Sequence, residues 1–343
     1  MTFAPESRFL FAVCQQGAEP ALKSEVDRLG MGLVPAYSRP GFVTFKSPSP
    51  LSPYVELELT FARAYGLSLG RVENVDEAAS SISQNCPGRS ALHVFPRDPR
   101  RPGDEADSLP GWDQAESFDK ELRRRLSMGE DVALIDASLV CDVLILEPSE
   151  LIIGCHAHGP SHSPWPGGRF RIAAPNAAPS RAYLKLQEAL EWSGIEVRRG
   201  RWALEVGASP GGAVYALLER GARVVAVDPR KMDERLLERP ELIHLRRRVE
   251  QVHREDLPDD IELLTMDMGL SPRFAMHHLE RLVALTRRSL RAFVVTLKLK
   301  EWHFADELPE FVARARAQGF ANVRVRQLSW NRQEVCLIGR REP

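Results

Sequence analysis

The chain has 343 residues, 43% apolar and 27% charged, with a net charge of −1. That balance is ordinary for globular protein, and the length predicts two or three domains. No window approaches the run of roughly 18 apolar residues that a membrane helix needs, so no membrane attachment is expected.

The average charge hides an asymmetry. Residues 1–163 hold 15 Lys and Arg against 23 Asp and Glu, a net −8, whereas residues 164–343 hold 31 against 24, a net +7. The second half is therefore the one able to attract phosphate. At the N-terminus, Glu6 and Arg8 precede a short apolar stretch at residues 9–13; without a basic region and a long apolar segment, no secretory signal is expected. The five cysteines, Cys14, Cys86, Cys141, Cys155 and Cys336, are scattered and form no CxxC pair. This argues against a disulfide framework or a zinc ribbon, and it predicts a cytoplasmic protein without a bound metal.

In chain order, residues 9–13 read as a strand, and residues 19–29, with Ala21, Leu22, Val26 and Leu29 at helical spacing, as a helix. Residues 41–45 and 91–95 read as strands, 117–126 as a basic-faced helix, and 143–147 and 151–155 as a strand pair. Short strands mixed with helices predict an α+β module. Residues 96–112, rich in Pro, Gly and charge, read as a loop. The stretch 159–180 carries Pro160, Pro164, Pro166, Gly167, Gly168, Pro175 and Pro179 and is the best linker candidate.

Beyond it the pattern sharpens. Strands are predicted at 202–206, 224–227, 261–266, 293–297, 323–328 and 335–338. Helices are predicted at 212–220, closed by Gly221, at 272–290, and at 304–318. Alternation of this kind predicts an α/β, doubly wound, largely parallel sheet, with its ligand beyond the strand C-termini.

The segment Ala203-Leu204-Glu205-Val206-Gly207-Ala208-Ser209-Pro210-Gly211-Gly212 is an apolar strand, a glycine-rich turn and a helix start. Glycines there allow close backbone approach to a ligand. Asp228 follows at the end of the next strand, where a carboxylate can accept hydrogen bonds from ribose hydroxyls. Ser209 replaces the second glycine of a dinucleotide fingerprint, and no phosphate-binding GxxxxGK[ST] is present. An acid, GxxPGG and a ribose-binding acid match S-adenosylmethionine sites better. The expected cofactor residues are Glu205, Gly207, Ser209, Pro210, Gly211, Gly212, Asp228 and Asp267.

Four further segments carry a family resemblance. They are Ser180-Arg181-Ala182-Tyr183-Leu184-Lys185-Leu186, Thr265-Met266-Asp267-Met268, Val295-Thr296-Leu297-Lys298-Leu299, and Arg326-Gln327-Leu328 running to Arg332-Gln333-Glu334-Val335. With the glycine loop, they resemble the FtsJ/RrmJ-like ribose 2′-O-methyltransferases over residues 178–343. The branch most similar is the THUMP-containing, RlmM type, which methylates a cytidine of bacterial large-subunit rRNA. The resemblance implies a Rossmann-like S-adenosylmethionine methyltransferase domain at 179–343, a linker at 159–178, a ferredoxin-like subdomain at 1–70 and a THUMP-like RNA-binding domain at 71–158. It also implies a catalytic tetrad of Lys185, Asp267, Lys298 and Glu334, and RNA as partner.

The residue types suit the reaction. A 2′-hydroxyl is a poor nucleophile, and a lysine beside a second cation has a lowered pKa and can take or steer its proton. Lys298 is the expected central group, positioned by Asp267, with Lys185 and Glu334 holding the ribose. Taken singly, each has an ordinary explanation: a strand-end lysine is usually solvated, Asp267 fits a helix cap, and Glu334 fits an edge-strand charge. Their joint order and placement is the specific signal.

Two positions depart from the family. Arg248 stands where an acid contacts adenine, with Asp256 as a possible substitute, and Lys300 replaces a proline. Arg181, Arg123 and Arg124 are candidate RNA contacts, as are the arginines at 199 and 201. Trp165 and Trp330 are candidate stacking residues. His156, His158 and His162 fit no familiar zinc spacing, and His277 and His278 fall in a predicted helix. A base-methylating NPPY motif is absent. The same chemistry on tRNA, or an RNA-binding protein that has lost catalysis, are the alternatives.

Overall fold

The computed structural model describes residues 4–98, 111–129, 131 and 133–342. They form two compact units, divided between Phe170 and Arg171, within the expected linker. Most of the expected loop at 96–112 lies outside the described residues.

The first unit is built on one seven-stranded sheet. β1 (Ser7–Val13) leads through helix α1 (Glu19–Arg28) to β2 (Val34–Arg39), β3 (Phe42–Leu51) and β4 (Ala64–Val72). Then come α2 (Val75–Asn85), β5 (Ala91–Pro96), α3 (Trp112–Leu126), β6 (Leu139–Glu147) and β7 (Glu150–Ala157). Helix α2 starts where the Asn74 side chain accepts the amides of Asp76 and Glu77. Sheet order is β2-β3-β1-β4-β7-β6-β5. β1 runs antiparallel to β3 and β4, and β4 antiparallel to β7. The sheet is therefore continuous through residue 70.

The second unit holds α4 (Ala182–Ser193), β8 (Trp202–Val206), α5 (Gly212–Glu219), β9 (Arg223–Val227), α6 (Glu234–Leu237), β10 (Leu242–Leu245) and β11 (Ile261–Met266). It continues with α7 (Pro272–Thr286), β12 (Ala292–Lys298), α8 (Leu308–Ala317), β13 (Asn322–Arg326) and β14 (Glu334–Arg340). The order β10-β9-β8-β11-β12-β14-β13 has five parallel strands, with β14 antiparallel to both β12 and β13. This is a Rossmann-like sheet. Strands β8, β9, β11 and β12 are almost wholly buried, because helices cover a parallel sheet on both faces. Val224, Ala226, Leu263 and Val294 pack against Leu186, Leu190, Val214 and Leu217 of α4 and α5, each such burial contributing about 1.5–3 kcal/mol for the larger side chains. Strand order reverses between β8 and β11, so a crevice opens at their C-terminal ends.

Candidate active site

The turn after β8 is shaped by contacts within the protein. Gly207 has φ +82°, and a Cβ there would strike the carbonyl of Asp267 after β11. At Gly212, which opens α5, a Cβ would strike Ser180 and the amide of Tyr183. The close approach these glycines permit includes one between segments of the chain itself, and Gly207 also borders the cleft described next. Ser209, Pro210 and Gly211 form the turn between them: Ser209 Oγ donates to the Lys231 carbonyl at 2.7 Å, and the Pro210 carbonyl accepts from Asp233 at 3.0 Å.

Asp228 follows β9 and is 4% exposed. Its carboxylate accepts the amides of Ser209 at 3.1 Å and Arg230 at 2.8 Å, and the Arg230 guanidinium lies 3.3 Å away. Burial alone would raise its pKa, but Arg230 and the two amides hold it below the usual carboxylate range. A cleft of about 410 Å³ opens beside it, lined by Gly207, Asp228, Arg247, Val249, Asp267 and Leu270 among others. These residues fit S-adenosylmethionine: an ionised, buried carboxylate suits ribose hydroxyls, and Val249 offers an apolar flank. Asp256 is engaged by its own neighbours. Both its oxygens lie 3.0 Å from Arg247 Nη1, and it accepts the His253 amide at 2.8 Å. Arg248 precedes a single helical turn, its amide donating to Gln251.

Lys185, Asp267, Lys298 and Glu334 form a closed ring of alternating charge. Lys185 Nζ lies 3.2 Å from Asp267 Oδ2 and also contacts Glu334 Oε1. Lys298 Nζ lies 2.6 Å from Asp267 Oδ1 and 2.5 Å from Glu334 Oε2. Each member comes from a different element: α4, the end of β11, the end of β12 and the start of β14. Asp267 belongs both to the ring and to the cleft. Two lysines hold Asp267 below the usual carboxylate range against the opposing effect of its burial. Burial would also lower the pKa of Lys298, but Asp267 and Glu334 overcome it and push the ammonium well above its ordinary value. The sequence expectation of a lysine with lowered pKa is thereby corrected: each lysine faces two carboxylates before it faces the other lysine.

Glu205 lies outside the cleft lining. It is 2% exposed in β8, beneath the ring, in a small cavity shared with Lys185, Thr265, Asp267, Thr296 and Asn331. Burial pushes its carboxyl up to about 8; a hydrogen bond with the Thr265 hydroxyl opposes the shift, and Asp267 and Asp228 reinforce it.

Arg123 has partners within the first unit. It donates to Asp119 at 2.8 Å, to both Asp131 oxygens at 2.9 Å and to the Leu92 carbonyl at 2.9 Å. These partners make it a tie between α3 and β5 and raise its pKa, the Asp131 hydrogen bond most of all. Arg124 forms a two-pronged pair with Glu121 on the surface, 2.9 Å on each arm. Arg181 stands at the N-terminus of α4, one turn before Lys185, whose amide donates to its carbonyl.

Trp330 packs against the core of the second unit, and Trp165 sits edge-on to Phe170 at 5.7 Å. His156 Nδ1 lies 2.7 Å from Asp142, and its ring stacks on His162 at 4.4 Å. His277 is exposed and His278 buried on α7. Sequence reasoning missed Glu188, one turn after Lys185. Buried on α4, it accepts the amides of Ser329 and Trp330 at 2.9 and 2.8 Å and so fixes the turn that leads to Glu334. A glutamate on an amphipathic helix gives no sign of this.

Residues 178–334 match the model of the FtsJ-like methyltransferases. The chain is 27% identical to the Ribosomal RNA large subunit methyltransferase M of Laribacter hongkongensis, over 91% of this chain and 89% of that protein. It is 28% identical to the protein of the same name from Halorhodospira halophila, over 96% and 95%. Among solved structures, the Methanococcus jannaschii fibrillarin pre-rRNA processing protein aligns over 59% of this chain and 83% of its own length, with 14% identity and a TM-score of 0.37.

Proposed function

We propose that this chain moves a methyl group from S-adenosylmethionine to a ribose 2′-hydroxyl of RNA, a reading supported by the match of residues 178–334 to the model of the FtsJ-like methyltransferases. The target class is a cytidine of large-subunit rRNA. The observation that carries this reading is the closed Lys185–Asp267–Lys298–Glu334 ring beside the cleft, sharing Asp267 with it. Similarity to proteins named for large-subunit rRNA methylation, along nearly the whole chain, supports the RNA class. In this reading the first unit positions RNA through a ferredoxin-like part at 1–70 and a THUMP-like part at 71–158. The working place is the cytoplasm, where ribosomes assemble.

When bound, S-adenosylmethionine supplies a methyl group on a cationic sulfur that departs as a neutral thioether. Gly207, Asp228, Val249 and Asp267, which line the cleft, would hold it. The ring does the rest. Lys298 keeps its proton at neutral pH and acts as a hydrogen-bond donor that turns an oxygen lone pair of the hydroxyl toward the cleft. No base is needed beforehand, because an ether-forming oxygen that still carries hydrogen is a strong acid. Its proton passes to a carboxylate oxygen of the ring or to water. Positioning of this kind accounts for most of the acceleration available to a reaction whose electrophile is already activated.

Calorimetry tests the cofactor step: S-adenosylmethionine binds the wild-type chain and binds Asp228→Ala far more weakly. Transfer to unmodified large-subunit rRNA, followed by alkaline hydrolysis, tests the acceptor. A ribose product leaves one alkali-resistant linkage; methylated RNA that hydrolyses completely would overturn the ribose assignment.

A further inference from the structure

The second unit has another cavity, at the sheet edge opposite the ring. Strand starts of a parallel sheet share one edge, and the antiparallel β14 ends there, with Ala292 paired to Arg340 and Ile261 to Trp202. The segments before β8 and β12 and after β14 converge on a cavity of about 170 Å³. Five arginines line it: Arg198, Arg201, Arg291, Arg340 and Arg341. Facing them are Glu196 and Glu262. Arg198 and Arg201 share the two oxygens of Glu262, at 3.5 Å each. Arg201 also lies 3.7 Å from Asp260, and the Arg341 guanidinium donates to the Arg287 and Gln318 carbonyls. Against Glu196, Glu262 and Asp260 the five arginines still leave a surplus of positive charge, around a cavity whose rim is open, since Arg201 is half-exposed and Arg291 exposed. Backbone bonds fix the rim: the Arg291 amide donates to Glu262 and the Arg341 amide to Arg291.

We propose that this basal cleft binds a phosphodiester of the RNA substrate, away from the nucleotide being methylated. The inference rests on the RNA reading given above. The cavity falls below the ~300 Å³ at which small-molecule pockets begin, but it suits a phosphate group, which planar guanidinium groups grip in pairs. Five- to seven-residue strands separate the two ends of the sheet by roughly 17–23 Å, a distance one folded RNA spans. Neutralised phosphates release counterions, so such a contact adds affinity without sequence readout.

The test is the double variant Arg201→Ala, Arg291→Ala in the full chain, with a large-subunit rRNA transcript as probe. Binding at 0.1 M salt weakens about tenfold, and the slope of log affinity against log salt falls by about 1. The KM for RNA rises in parallel, while kcat at saturating RNA and S-adenosylmethionine affinity, which reports folding, stay unchanged. Affinity and salt slope within twofold of a wild type that methylates the transcript would overturn the proposal alone. A wild type that binds no RNA would overturn both it and the RNA reading. Micromolar binding of free ATP, lost in the double variant while RNA affinity holds, would reassign the cleft to a small anion.

Discussion

Lys298 and Glu334 face one another as the closing pair of the β12–β14 ladder, with Nζ 2.5 Å from Oε2. The reversal of β14 makes this possible: in an antiparallel pair, the last residue of one strand meets the first of the next. Lys298 then reaches Asp267 at the end of neighbouring β11. Its ammonium is fixed from two sides, which suits a donor that orients a hydroxyl. Lys298→Ala should therefore lower kcat by about 10²–10⁴ and leave S-adenosylmethionine binding within twofold. A loss of tenfold or less, in a folded variant, would remove Lys298 from the centre of the mechanism.

Glu334 is the most enclosed member of the ring, at 5% exposure, and it touches both lysines. Glu334→Ala leaves two ammonium groups with one carboxylate. Breaking a buried pair costs about 3–5 kcal/mol; because each lysine side chain is a fifth exposed, we expect about 2 kcal/mol here. Urea unfolding should show this loss, with a smaller one for Glu334→Gln. Equal stability of Glu334→Ala and wild type would mean that water already carries the lysine charge.

Arg230 lies across the Asp228 oxygens that would receive a ribose in the proposed reading, yet its side chain is 71% exposed. An exposed pair is worth roughly 0–1 kcal/mol, so the guanidinium yields easily. Arg230→Ala should tighten S-adenosylmethionine binding by up to about fivefold, whereas Asp228→Ala should weaken it at least tenfold. Calorimetry on the two variants separates the roles. Weaker binding in Arg230→Ala would show that the arginine touches the ligand.

The sheet of the second unit was legible because β8, β11 and β12 are short apolar runs ending in polar residues, and because Gly207 and Asp228 mark the turns. The tetrad was legible only through its motifs, since four elements far apart in sequence supply it. Its electrostatics were not: whether Lys298 meets a lysine or a carboxylate first depends on which strand neighbours β12. Strand β2 escaped notice because nearly every residue is exposed, which removes the alternation that marks a strand, and β4 is interrupted by Gly66 and Gly70. Helix α4 escaped because its motif drew attention to Lys185 rather than to the spacing of Leu184, Leu186 and Leu190. The partners of Arg123 are not legible either, because acids four and eight residues away meet it only when α3 and the following turn fold together.

Arg123 carries a prediction of its own. Its Asp119, Asp131 and Leu92 bonds join α3 to β5, so Arg123→Ala should lower the stability of the first unit by about 1–3 kcal/mol. The salt dependence of RNA binding should stay as in wild type. A drop in that slope, with unfolding unchanged, would place Arg123 at the RNA interface.

Glu205 supplies a pH dependence of known sign. Its carboxyl rises from an ordinary 4.5 to about 8 in the folded chain, so the folded state holds a proton that the unfolded state has lost. Stability from this group is complete below pH 4.5 and declines as pH climbs toward 8, at about 1.4 kcal/mol per pH unit. Asp267 acts in the other direction, since its pKa is lowered and its contribution fades only in acid, below the range of interest. Glu205→Gln keeps the shape and the hydrogen bond to Thr265 but cannot ionise. Its stability relative to wild type should therefore improve steadily from pH 6 to pH 8, by about 2–3 kcal/mol, in urea unfolding at fixed salt. Parallel curves for the two proteins across that range would mean that Glu205 is ionised beneath the ring, and that the ring carries a third negative charge.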